Sequence, residues 1–169
     1  TLHGMTAAPF WLALAGIGSA IRELRPSARV YSAEPETAAP FDMSLRAGAA
    51  CRFDAWQASF VDGAGGRSVL PAMWDVLSEV VHGAIVVSLP EVAAAMKLVA
   101  ERCHVIAEGA AGCAVAAAVS GRIPRTSAHR PFNIVAVVSG GNIDLSTFAS
   151  LVGACDQSPV ASRQSPETT

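Results

Sequence analysis

The sequence predicts an α/β fold: three layers, with a mostly parallel sheet covered by helices on both faces. Three observations predict it. Short β-branched runs alternate along the chain with longer stretches of helical spacing. Those runs are apolar throughout, as strands buried on both faces are, instead of alternating with polar residues. Of the 169 residues, 51% are hydrophobic and 15% charged, which is enough apolar material for one domain with its own core.

Residues 1–10 carry no clear pattern. From Trp11 to Leu24, WLALAGIGSAIREL has helical composition with basic residues at its far end, and Pro26 stops it. Arg29 to Ala33 is the first strand and delivers Glu34 and Pro35 into a loop. Residues 35–66 are mixed and punctuated by Pro40 and four glycines, with one short helix around Asp42 to Ala47. Val69 to Val81 has helical spacing, and Ala84 to Ser88 is the second strand. Pro90 opens a helix to about Arg102, at a first-turn position where its missing N–H costs little. His104 to Ala107 reads equally as a short extended piece or as the start of the next helix. Ala110 to Val119 is an alanine-rich helix ended by Gly121, and residues 122–131 form a basic, proline-containing loop. Ile134 to Val138 is β-branched and reads as a buried strand. A Ser-Gly-Gly-Asn turn and a helix from Leu145 to about Val152 follow. Residues 1–155 are expected to form the domain, and the Ser/Pro/Thr-rich tail 156–169 to be disordered. There is no internal repeat.

Composition narrows the function classes. A net charge of −2 argues against nucleic acid or an acidic membrane surface as partner. The apolar runs are broken well before membrane-spanning length, so no transmembrane helix is expected. Phe10 to Ala20 lacks the preceding basic segment of a signal peptide. Cys51, Cys103, Cys113 and Cys155 have no CxxC spacing and read as apolar fillers in a reducing, cytoplasmic compartment. His3, His82, His104 and His129 are equally dispersed, so no metal site is expected. The chain opens on Thr1, which reads as a fragment or a processed product, and contains a single lysine, Lys97.

The candidate site is Ser139-Gly140-Gly141-Asn142. Two glycines after a strand let the backbone turn tightly and pass close to a ligand. A serine hydroxyl at the carboxyl end of a parallel strand sits where open α/β sheets bind their ligands. A plain strand-to-helix turn is the alternative reading of the same four residues.

Four blocks, in order and spacing, resemble a known family: LAGIGSAIRELRPSARVYSAEPETA, FVDGAGGRSV, VVSLPEVAAAMKLVAERCHVIAEGAAGCAVAAAVSGR and VVSGGNID. Together, from Leu14 to Phe148, they cover about four-fifths of the chain and resemble the C-terminal half of fold-type II pyridoxal-phosphate (PLP) enzymes, in the threonine/serine dehydratase and serine racemase branch. The resemblance implies that Ser139 hydrogen-bonds the pyridine nitrogen of PLP, with Gly140, Gly141 and Asn142 shaping the turn. A neutral hydroxyl there does not force the nitrogen to be protonated, and the weaker electron sink favours loss of a β-substituent. The resemblance also implies that Glu108, in Ala-Glu-Gly, lies near the cofactor ring. A carboxylate favoured by the macrodipole at the head of the following helix is the competing reading. Glu34 matches a glutamate that in some relatives helps bind a cation, but Pro40 stands at the second-acid position, so that site is expected to be absent. Asp62 and Gly63 match an Asp-Gly of the family and read by themselves as a turn.

Other expected parts are missing. The family's chemistry uses a lysine near the N-terminus to hold PLP and move the α-proton. Here Lys97 lies mid-helix and reads as a snorkelling side chain. The family carries a glycine run whose N–H groups hold the phosphate, at the position of Pro9-Phe10-Trp11-Leu12. The complete enzyme implied by the resemblance would convert a hydroxy-amino acid to a 2-oxo acid and ammonia, and this chain alone is expected not to. Its expected partners are a small amino-acid substrate, in the complete enzyme, and a second copy or a full-length relative. Two other readings stand beside this one. A non-catalytic interaction or remnant protein would expose a sheet edge and apolar faces. A dinucleotide-binding module would use Gly16, Gly18 and Glu34, but Ile21 replaces the third glycine and the strand follows the helix.

Overall fold

The computed structural model describes residues 8–124 and 133–155. The expectations for residues 1–7, 125–132 and the tail 156–169 lie outside them. The element order is helix α1 (Ala8–Leu24), strand β1 (Tyr31–Pro35), α2 (Pro40–Ala47), α3 (Pro71–Val80), β2 (Gly83–Val87), α4 (Leu89–Cys103), α5 (Gly109–Val119) and α6 (Leu145–Ala154). Strands β1 and β2 pair in parallel, with Tyr31 opposite Gly83 and Pro35 opposite Val87. No helix among the described residues is long and apolar enough to cross a membrane.

Helices cover both faces of this small sheet, each over its own apolar cluster. On one face Ile85 and Val87 meet Val92, Ala95, Met96 and Val99 of α4, buried residues of α5, and Phe148 of α6. On the other, Trp11 and Ala15 of α1 meet Phe41 of α2 and Leu77 and Val80 of α3. The spacing 92, 95, 96, 99 puts one stripe of α4 toward the core. Its start is fixed by a capping box, in which the Ser88 hydroxyl accepts from the Glu91 N–H while the Glu91 carboxylate accepts from the Ser88 N–H. Arg122 pairs with Glu91 and donates to the Val86 carbonyl at 2.8 Å. That guanidinium, with the Ser88 amide, holds the Glu91 carboxyl down at about 2.

Close helix contacts explain two glycines. A Cβ on Gly112 of α5 would stand 2.8 Å from Met96 Cγ of α4, and one on Gly18 of α1 would stand 2.7 Å from Val80 Cγ2 of α3. Gly16 and Gly18 are therefore interior residues of α1, with a strand after the helix, which is not the order of a dinucleotide-binding turn.

One element departs from expectation. Ile134 to Val138 does not form a buried strand. Residues 133–144 carry no strand pairing, and Ile134, Val135, Val137 and Val138 are 42%, 86%, 46% and 42% exposed. The cause is lateral: a β-branched run becomes a strand only when a neighbour completes its backbone hydrogen bonds. β1 and β2 pair with each other, and the described residues provide no further strand for 134–138. His104 to Ala107 is likewise neither strand nor helix. α4 ends there on His104 in the left-handed conformation, and α5 begins at Gly109.

Candidate functional site

The predicted site residues come from two distant stretches, and the fold brings them together. Glu108 is the N-cap of α5, but its side chain makes no capping bond to that helix. Its carboxylate Oε2 accepts instead from the Asn142 N–H at 3.0 Å, and its own N–H donates to the Gly140 carbonyl at 3.1 Å. The Ile143 N–H donates to the Gly141 carbonyl at 2.9 Å and tightens the loop. Ser139 and Asn142 are exposed, Gly140 is half-buried, and Glu108 is half-buried behind them.

The glycines of this loop answer to sterics. Neither Gly140 nor Gly141 has a left-handed φ; among the described glycines only Gly48 and Gly121 do. A Cβ on Gly140 would lie 2.6 Å from Glu108 Oε1, and one on Gly141 would lie 2.5 Å from the Ile106 carbonyl oxygen. The tight turn expected from sequence is thus a close approach between two chain segments. The Asp62-Gly63 turn belongs to the same neighbourhood. A Cβ on Gly63 would stand 3.0 Å from Ala110 Cβ and 3.5 Å from Glu108 Oε1. The sequence by itself reads Asp62-Gly63 as a turn and does not connect it with Glu108, because no periodicity signals a contact over that separation.

Glu34 has a different task. It is fully buried, and its Oε1 and Oε2 accept from the Phe41 and Asp42 N–H groups, each at 2.8 Å. The carboxylate thereby caps α2, whose first position is Pro40. Burial outweighs those two bonds and pushes the carboxyl up to about 7. Burial, with Glu34 nearby, also pushes the Cys113 thiol up to about 12. Among the described residues no group of three His, Cys, Asp or Glu side chains could hold a metal ion.

The residues present fit one end of a PLP molecule and not the other. An exposed hydroxyl on a loop braced by a carboxylate suits a ring nitrogen. At the phosphate position, Phe10 to Leu12 lie inside α1, and the buried Trp11 packs between Phe10 and Phe41, with ring centroids 4.9 and 5.8 Å away. Those side chains make core contacts where the family has glycines, and Pro9 has no N–H to offer a phosphate. Lys97 lies in α4, with Nζ 3.9 Å from Glu101. Clefts of about 380 and 240 Å³ lie along α1 and α3, and neither is lined by Glu108 or residues 139–142.

Residues 12–140 match the family model of the pyridoxal-phosphate dependent enzymes. The catabolic L-threonine dehydratase TdcB of Escherichia coli is 29% identical over 143 residues, covering 85% of this chain and 43% of that protein. Human serine racemase is 32% identical over 139 residues, covering 82% of this chain and 40% of that protein. Among solved structures, maize serine racemase superposes with a TM-score of 0.72 at 30% identity, over 83% of this chain and 44% of that one. The T.th. threonine deaminase gives 0.69 at 30% identity, over 78% and 46%. The chain thus spans less than half the length of the relatives it matches.

Proposed function

This chain belongs to the pyridoxal-phosphate dependent enzyme family, and on that premise we propose that it supplies the ring-nitrogen side of a PLP site of the threonine/serine dehydratase type. The cofactor, when bound, supplies an electron sink for loss of a β-hydroxyl from an amino acid. The overall change is conversion of a hydroxy-amino acid to a 2-oxo acid and ammonia. The part assigned to this chain is to orient: Ser139 offers a neutral hydroxyl to the ring nitrogen, and Gly140, Gly141 and Asn142 hold that hydroxyl in place against Glu108. The Schiff-base lysine of the family has no counterpart in these 169 residues, and the position of the phosphate cradle is taken by Pro9-Phe10-Trp11-Leu12.

The observation that carries this reading is the braced Ser139–Asn142 loop, open on its outer side, in a chain that spans two-fifths of its relatives' length. On this reading the purified chain forms no pyruvate from serine and no 2-oxobutyrate from threonine when PLP is added. Formation of either at a rate proportional to the amount of chain would overturn it.

A second reading, as an interaction protein, is favoured by the exposed run Ile134, Val135, Val137 and Val138. Sedimentation separates the two. Discrete self-association lost on substituting Val135 with Glu supports the second reading, and a folded monomer at tens of micromolar counts against it.

A further inference from the structure

Glu108 and Asn142 lie 34 positions apart in the sequence, yet the carboxylate of one meets the amide of the other. We infer that Glu108 is the positioning residue of the Ser139–Asn142 loop, and that Gly140 lacks a side chain because the Glu108 carboxylate stands where its Cβ would be. This is a different task from lying beside a cofactor ring, and different again from capping α5.

Residue 108 grips the loop at two points of opposite polarity. Its backbone N–H donates to the Gly140 carbonyl, and its carboxylate accepts from the Asn142 N–H. The second bond is charge-assisted and the stronger of the two. Between them Gly140 turns its bare Cα toward the carboxylate, with an added Cβ 2.6 Å from Oε1 and 3.0 Å from Cδ. Next to it Gly141 meets the Ile106 carbonyl in the same way. Since neither glycine has a left-handed φ, alanine is allowed at both by backbone conformation, and only residues 106–108 exclude it. Gly63 approaches the same carboxylate from another turn, where an added Cβ would lie 3.5 Å from Oε1. Without this brace nothing among the described residues ties Gly140 or Asn142 to the rest of the domain through a backbone hydrogen bond, because the preceding run 134–138 is unpaired.

The bearing of this brace on a cofactor rests on the proposed function; the brace itself does not. Its test therefore uses the whole chain without PLP, and a failure to retain PLP would leave it untouched. Amide hydrogen exchange is measured across residues 140–143 and across α4 in the parent chain and in Glu108→Ala, Glu108→Gln, Gly140→Ala and the double variant Glu108→Ala/Gly140→Ala. Glu108→Ala is expected to speed exchange at the Asn142 amide by roughly tenfold or more, with α4 little changed. Glu108→Gln keeps an acceptor oxygen and is expected to restore exchange to within about threefold of the parent. Gly140→Ala is expected to lower the urea midpoint, and the double variant to recover it, because the second substitution removes the atom the first collides with. Unchanged exchange at Asn142 in Glu108→Ala, no rescue by Gln, or additive losses in the double variant would each overturn the inference. If Gly140→Ala does not fold, a folded double variant still supports it and an unfolded one contradicts it.

Discussion

The Phe41 amide nitrogen donates to Glu34 Oε1 at 2.8 Å, inside a core that shields Glu34 wholly from solvent. Two opposing effects meet on this carboxyl. The N–H groups of Phe41 and Asp42 favour its ionised form, and loss of water disfavours it more strongly.

The outcome sets a pH dependence. The carboxyl titrates at about 7 in the fold against an ordinary 4.5. Between those values the unfolded chain binds fewer protons than the folded one, so stability falls as pH rises. The contribution is fully present below 4.5 and is lost as pH climbs through 7. Its size is up to about 3 kcal/mol. Urea midpoints measured from pH 5 to 8 are expected to decline in the parent and to flatten in Glu34→Gln. An unchanged slope in Glu34→Gln would show that other groups produce the decline.

Gly112 sets the distance between α4 and α5. A Cβ there would stand 2.8 Å from Met96 Cγ and 3.3 Å from the Val92 carbonyl oxygen. Met96 can yield and the backbone cannot, so Gly112→Ala is expected to cost about 1–3 kcal/mol, despite the better helix propensity of alanine. Urea denaturation measures it, and a stabilised variant would mean that the two helices separate without loss.

His104 ends α4 with φ of 56°, and it is the one described non-glycine residue with positive φ. An exposed side chain in that conformation carries a steric cost that glycine avoids. His104→Gly is expected to raise stability by about 1 kcal/mol. A lower thermal midpoint would show that the imidazole makes a contact worth more than the strain it brings.

Much of the fold is legible in the sequence where local chemistry decides it. Pro90 announces the start of α4 to within one residue, while Ser88, which reads as the end of a strand, proves to be its cap. The alternation of helices and apolar strands places β1 and β2 to within two residues. The segment 134–138 has the composition of a strand, but strand formation depends on a neighbour that composition cannot reveal. The site is legible as residues and illegible as an arrangement. The resemblance points to Glu108 and to Ser139–Asn142 separately, while the bond from Asn142 to Glu108 exists only because α5 and the loop meet in space. The same holds for Glu34, whose role is fixed by the approach of α2.

The central claim is that this chain carries the ring-nitrogen side of a PLP site without the lysine or the phosphate cradle. The most direct measurement adds PLP to the purified chain, records the visible absorbance before and after borohydride, and locates any reduced adduct by mass. The account predicts no saturable band and no adduct. A saturable band whose reduction leaves the cofactor on Lys97 would contradict it.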